Sequence, residues 1–273
     1  MKSELSNTVA SLQSKIVSTV FVVSALFCLV CCDRLPTSSN SQNLSEVDLD
    51  VIASEITVRI FEKGNADGKW GSGFLVQREG ELYTAITNRH VLSDIRKIYN
   101  VQTFDGQIYS TNAVRTAKFD DDVAVIQFYS PKHRYRIAIL KSSDSLSIGD
   151  KVFAGGFPFS ENLPKNKPLK LTVGQIDLIP SQPLIGGYQL GYTNIVEKGM
   201  SGGPLLNSLG EVVGLNGRHK YPVAGDPFVF KDGSKVSEKL WQHMSSLSWA
   251  LPIQKFTYLI PNVHISALSV NFQ

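Results

Sequence analysis

From residue 33 to residue 273 the chain contains no cysteine, and its three thiols, Cys28, Cys31 and Cys32, all stand in one short N-terminal stretch. The body of the protein therefore has no internal disulfide, no Cys-ligated zinc site and no thiol nucleophile. Its stability must come from core burial, for which 42% apolar residues in a 273-residue chain suffice. A strong excess of charge of either sign is also lacking. The net +3 is spread over scattered Lys and Arg, with no basic stripe and no interleaved aromatics, so nucleic acid is not an expected partner. No segment repeats at a fixed period, which excludes solenoids and propellers.

One long hydrophobic run is present. Residues 16–32 (IVSTVFVVSALFCLVCC) carry no charge and follow a segment containing Lys2 and Lys15, the pattern of an export signal or anchor. The 17-residue run falls slightly short of a comfortable bilayer span, and no A-x-A cleavage site follows it. A cleaved signal peptide, a retained anchor and a lipid-modified cysteine are the alternatives. The expected location is exported, periplasmic or secreted, or else attached to a membrane through residues 16–32.

Residues 33–51 read as a polar linker (DRLPTSSNSQN) leading into a short helix, SEVDLDVIASEI, in which Ser45 and Asp48 have capping-box spacing. Near Ile56 the period changes. ITVRIF, GSGFLVQ, LYTAITN, YNVQTF, VAVIQFY, KVFAGGF, LKLTVGQIDLI and EVVGLNG are short runs rich in Val, Ile, Thr, Tyr and Phe, bounded by Gly, Asn, Asp or Pro. Such spacing predicts an all-β sandwich or barrel. Helical spacing returns only at Val236, Leu240 and Met244 and after Pro252.

Within this body EKGMSGGPLLN surrounds Ser201 with Gly199, Gly202 and Gly203, in a G-x-S-x-G pattern that two unrelated hydrolase designs share. In one of them, the nucleophile elbow, the serine opens a helix. Here Pro204 and an Asn-Ser-Leu-Gly turn predict a β-hairpin instead. Flexible glycines would let a carbonyl approach the amides of Gly199 and Ser201, the expected oxyanion hole.

A serine nucleophile needs a histidine to take its proton and a carboxylate to orient that histidine. Among His90, His133, His219, His243 and His264, only His90 directly follows an apolar strand, LYTAIT. For the carboxylate, Asp122 adjoins the apolar run VAVIQF, whereas Asp120 and Asp121 are expected to face water and Asp105 to belong to an Asp-Gly turn.

The segments GSGFLV, TNRHVL, DDDVAVIQF, GMSGGPLLN, GEVVGLNGR and SWALPI, in the chain order His90, Asp122, Ser201, resemble the trypsin-like (chymotrypsin-fold) serine peptidases, closest to bacterial cysteine-free members. The resemblance covers roughly residues 52–262, and with residues 263–273 as a short tail no PDZ module is expected. It implies two packed antiparallel β-barrels, at about 52–145 and 146–262, and an acyl-enzyme peptidase acting on peptide or protein without metal or cofactor. Met200 departs from the Asp or Asn usual before the nucleophile, so activation by N-terminal cleavage is not expected. The resemblance further implies a substrate pocket built from Ile195, Val196, Leu215 and Asn216, and hence a small or apolar residue before the scissile bond. Asn216 stands where Glu-specific members carry a histidine, with His219 close by. Two other readings stay open. One is an elbow-type esterase using Asp226 or Asp232 with His243 or His264, and the other is a noncatalytic peptide-binding barrel. The stretch 219–247 is longer than a minimal barrel needs.

Overall fold

The computed structural model describes residues 43–64, 69–111, 113–116, 121–159, 169–221, 228–255, 257–260 and 265–266. The hydrophobic run at 16–32 and all three cysteines lie outside them, as do Asp120, Asp226 and His264. Among the described residues no helix is long and apolar enough to cross a membrane.

The chain enters through α1 (Glu46–Ile56), whose first turn is capped by Ser45: its Oγ accepts from the Asp48 amide at 3.2 Å. Leu49, Ala53 and Ile56 recur at helical spacing on one fully buried face. That face joins the main core cluster, so the helix expected beside a linker is part of the folded body.

Seven strands follow: β1 (Thr57–Glu62), β2 (Trp70–Glu79), β3 (Leu82–Thr87), β4 (Tyr99–Gln102), β5 (Ile108–Ser110), β6 (Ala113–Thr116) and β7 (Ala124–Tyr129). They form one antiparallel sheet in the order β5-β4-β1-β2-β3-β7-β6. The second group is β8 (Leu140–Lys141), β9 (Lys151–Gly156), β10 (Lys170–Leu178), β11 (Leu190–Tyr192), β12 (Pro204–Leu206), β13 (Val212–Arg218), β14 (Ser248–Pro252) and β15 (Ile265–Ser266). Here β12-β9-β10-β11-β14-β13 closes on itself through the β12–β13 pair, with β8 and β15 appended in parallel. This is the two-sheet architecture that the resemblance implies, with the first sheet an open half-barrel and the second a closed six-stranded barrel. A second helix, α2 (Glu238–Ser245), lies where Val236, Leu240 and Met244 set the period. The run after Pro252 makes 3-10 turns at Ile253–Lys255 and Thr257–Leu259.

Period-two alternation explains how the sheets pack. Along β7, Ala124, Ile126 and Phe128 point into the first sheet's own core, while Val125 points the other way. With Phe74 and Ile86, Val125 meets Phe153, Leu206, Val212 and Leu251 of the barrel in a shared core between the sheets. A third cluster, with Val152, Ile176, Val213 and Met200, fills the barrel. Each such side chain, fully buried, stabilises the fold by about 1.5–3 kcal/mol. The docked sheets set the first sheet's strand ends against the loop that carries Ser201.

Candidate active site

His90 follows β3 by three residues, in a 3-10 turn at Arg89–Val91. The turn is tied to the Asp122 segment at both ends, because Asn88 Nδ2 donates to the Asp122 carbonyl at 2.8 Å and the His90 amide donates to Asp122 Oδ1 at 2.9 Å. The side chains meet as well: His90 Nδ1 and Asp122 Oδ2 are 2.6 Å apart. An imidazole nitrogen that faces a carboxylate carries the proton, which leaves Nε2 of the neutral ring as the acceptor. Burial pushes the Asp122 carboxyl up, but hydrogen bonding and charge from His90, the Tyr188 hydroxyl and the His90 amide outweigh it and hold the group below the usual carboxylate range. Asp121 departs from expectation. It is buried, not facing water, and its Oδ1 pairs with Lys231 Nζ at 2.5 Å.

Ser201 enters from the second barrel. After it the chain runs into β12, not into a helix, and residues 207–210 turn back to β13 with Gly210 at φ +75°. The helix that an elbow would require is absent, and the elbow's histidine candidate His243 instead pairs with Asp177. Gly202 shows why the loop needs glycine: at φ +87° a Cβ would lie 2.1 Å from the Ser72 carbonyl oxygen and 2.4 Å from Thr87 Oγ1. The Ser201 loop is thus pressed directly onto β2 and β3.

Ser72, which the sequence reading passed over, is the clamp. Its fully buried Oγ donates to the Gly199 carbonyl at 2.8 Å and accepts from the Phe157 amide at 2.9 Å, while its own amide donates to the Ser201 carbonyl at 2.8 Å. Phe159 does the same from another side, its amide donating to the Lys198 carbonyl at 2.8 Å. Because a trans peptide sets N–H and C=O in opposite directions, pinning the Lys198 carbonyl turns the Gly199 N–H the other way. The Met200 carbonyl is likewise taken by the Gly203 amide at 3.1 Å, which turns the Ser201 N–H away from it. Among the described residues neither amide has an acceptor within the chain. Met200 itself is buried in the barrel core, with its sulfur 3.4 Å from the Glu197 amide.

His90, Gly199 and Ser201 line one cavity of about 1030 Å³. In it Ser201 Oγ donates to the Gly217 carbonyl at 3.3 Å, and among the described residues it has no hydrogen bond to His90. Phe61, Trp70, Phe159 and Trp249 give the cavity aromatic walls, and Lys198 and Arg218 bring positive charge to the Ser201 side. The four residues expected to form the substrate pocket lie elsewhere. Ile195 is exposed, Val196 and Leu215 are in core clusters, and buried Asn216 is consumed by Tyr192, Gly155 and Pro204. Strand register explains the shift: the end of β13 meets the cavity at Gly217 and Arg218, with His219 just beyond the strand, one to three residues past Asn216. Among the described residues no group of three or more His, Cys, Asp or Glu side chains is arranged to hold a metal ion.

The model of the trypsin-like peptidase domain matches residues 71–215, more than half of the chain. The chain belongs to this family. Within it, the chain is similar to a putative serine protease HhoA of Synechocystis sp., 30% identical over 150 residues, covering 54% of this chain and 36% of that protein. It is 32% identical over 167 residues to serine protease HTRA1 of Xenopus laevis, covering 57% and 33%. To a probable periplasmic serine endoprotease DegP-like of Chlamydia trachomatis it is 34% identical over 153 residues, covering 55% and 28%. The match thus spans about a third of these family members' length.

Proposed function

We propose that the chain is a serine endopeptidase in which Ser201, His90 and Asp122 act as a triad. The observation that carries this reading is that His90, paired with Asp122, lines the same cavity as Ser201, beside the Gly199 and Ser201 amides, which have no acceptor within the chain among the described residues. Rotation of the Ser201 side chain off the Gly217 carbonyl frees its hydroxyl for His90 Nε2, a contact that tightens only when substrate is bound. Ser201 Oγ then attacks the peptide carbonyl, His90 takes the proton and returns it to the leaving amine, and water releases the acyl group by the same route. The Gly199 and Ser201 amides stabilise the oxyanion. Asp122 keeps the ring in its productive tautomer.

The aromatic walls support acceptance of an apolar residue before the scissile bond, and the cations Lys198 and Arg218 disfavour Arg or Lys there. The lining carboxylate, Glu62, is already paired with Lys97 at 2.9 Å. Export is supported by the uncharged run at 16–32 and by similarity to a protein named periplasmic.

The test is labelling with a fluorophosphonate followed by turnover of a peptide library. We expect label on Ser201, cleavage after apolar residues, and loss of both in Ser201→Ala. The Ser201–Gly217 hydrogen bond favours a second reading, a noncatalytic peptide-binding barrel. Peptide binding without labelling or turnover would establish that reading instead, and cleavage confined to bonds after Arg, Lys or Glu would overturn the proposed preference.

A further inference from the structure

Asp122 has a partner besides His90. The hydroxyl of Tyr188, a fully buried side chain of the second barrel, donates to Asp122 Oδ2, the same oxygen that faces His90 Nδ1. Nothing local in the sequence links the two residues, which are 66 positions apart. The turn at 184–188 (LIGGY) makes the meeting possible. Gly186 and Gly187 both take φ +86°, and the Gly187 amide closes the turn on the Leu184 carbonyl at 2.9 Å. The Gly186 carbonyl accepts from the Asp122 amide at 2.9 Å, so backbone and side chain of the acid are held from one turn. A Cβ on Gly187 would lie 2.6 Å from Asp121 Oδ1.

Space for the hydroxyl comes from β13. A Cβ on Gly217 would lie 2.3 Å from the Tyr188 hydroxyl oxygen, so any side chain there would displace it. Arg218 packs over the Tyr188 ring, 4.4 Å from guanidinium to centroid, and donates to the Ile185 carbonyl at 2.9 Å. The long segment after His219 closes the far side. The Ile185 amide donates to the Val229 carbonyl at 2.8 Å, the Lys231 amide donates to the Pro183 carbonyl at 3.0 Å, and Lys231 pairs with Asp121.

We propose that Tyr188 is a positioning residue for Asp122, delivered across the boundary between the sheets by the 184–188 turn, and that Gly217 is glycine because the Tyr188 hydroxyl occupies its side-chain space. The inference rests on the triad reading. It adds a donor that orients the carboxylate from the barrel carrying the nucleophile, so that the acid is aligned only when the two sheets are docked. Burial, then the Asp122 charge, pushes the Tyr188 phenol well up, which keeps it a donor at any working pH. The charged and titratable groups around the acid are His90, Tyr188 and Arg218, with Asp121 neutralised by Lys231.

The test is Tyr188→Phe in the full-length chain. A hydrogen bond to a charged group implies a kcat about 10- to 100-fold lower with KM unchanged. Gly217→Ala, which pushes the hydroxyl aside without removing it, should act in the same direction and serves if Tyr188→Phe does not fold. A second readout needs no turnover. In a Ser201→Ala background, the His90 ring resonances followed by NMR report Asp122 protonation, whose acid midpoint should rise by about one pH unit on Tyr188→Phe. A kcat within two-fold of wild type in both variants, or an unmoved acid midpoint, overturns the proposal. Absence of wild-type turnover and of Ser201 labelling would instead defeat the triad reading, and the titration would still decide the role of Tyr188.

Discussion

Replacing Ser72 by alanine removes one oxygen and unties two barrel backbone groups at once. The side chain is fully buried, and its Oγ satisfies both the Gly199 carbonyl and the Phe157 amide, at 2.8 and 2.9 Å. Leaving a buried donor or acceptor unpaired costs about 1–3 kcal/mol. Two such groups, with some relaxation, give roughly 2–4 kcal/mol, and for a domain of this size that lowers Tm by roughly 5–15 °C. Catalysis should suffer separately, because the Gly199 carbonyl belongs to the loop that carries both proposed oxyanion amides. Loss of a whole oxyanion donor costs about 10²- to 10³-fold, so a loosened one is expected to lower kcat by at least about 10-fold. Scanning calorimetry and steady-state peptide hydrolysis, the latter well below the variant's Tm, measure the two effects independently. A Tm within about 1 °C of wild type together with kcat within two-fold would refute the clamp.

Other expectations follow from the same geometry. Gly202→Ala combines φ +87° with a Cβ 2.1 Å from a backbone oxygen, whereas Gly64→Ala has φ +86° and open space. The first should destabilise by well over the ~1 kcal/mol of backbone strain that the second incurs, and equal Tm losses in the two would contradict the close packing of the loop on β2. Asp122 has a folded pKa below its ordinary 3.8. Its stabilising contribution is therefore complete above that value and is lost as pH falls through the lower folded one. The stability difference between wild type and Asp122→Asn should therefore shrink as pH falls below about 4. A difference that vanishes already near pH 6 would contradict the assignment.

Much of this was legible in the chain itself wherever the signal was local. Short runs rich in β-branched and aromatic residues predicted β3 and β7, and the capping spacing of Ser45 and Asp48 predicted α1. A histidine at the end of one buried strand and an aspartate at the start of another could be picked out because antiparallel neighbours bring such ends together, as β3 and β7 do with Thr87 opposite Ala124. The glycines around Ser201 announced a loop that leads into a hairpin. What the sequence by itself determined, then, was the strand periods, the turns and the order of the chemical groups, all carried by residues a few positions apart.

The tertiary structure decided everything that depends on which distant segments touch. Ser72 reaches Gly199 across 127 positions, Lys231 reaches Asp121 across 110, and Tyr188 reaches Asp122 across 66. Asp121 could not be recognised as buried because its cation, Lys231, stands 110 positions away in the long segment after His219. The cavity walls were misjudged for a related reason. Successive residues on a strand point to opposite faces, so whether Asn216 or Gly217 meets the cavity follows from how β13 is seated between β12 and β14, with register shifts in both pairings. Pattern in one strand does not encode that seating; it is fixed only when the whole barrel closes.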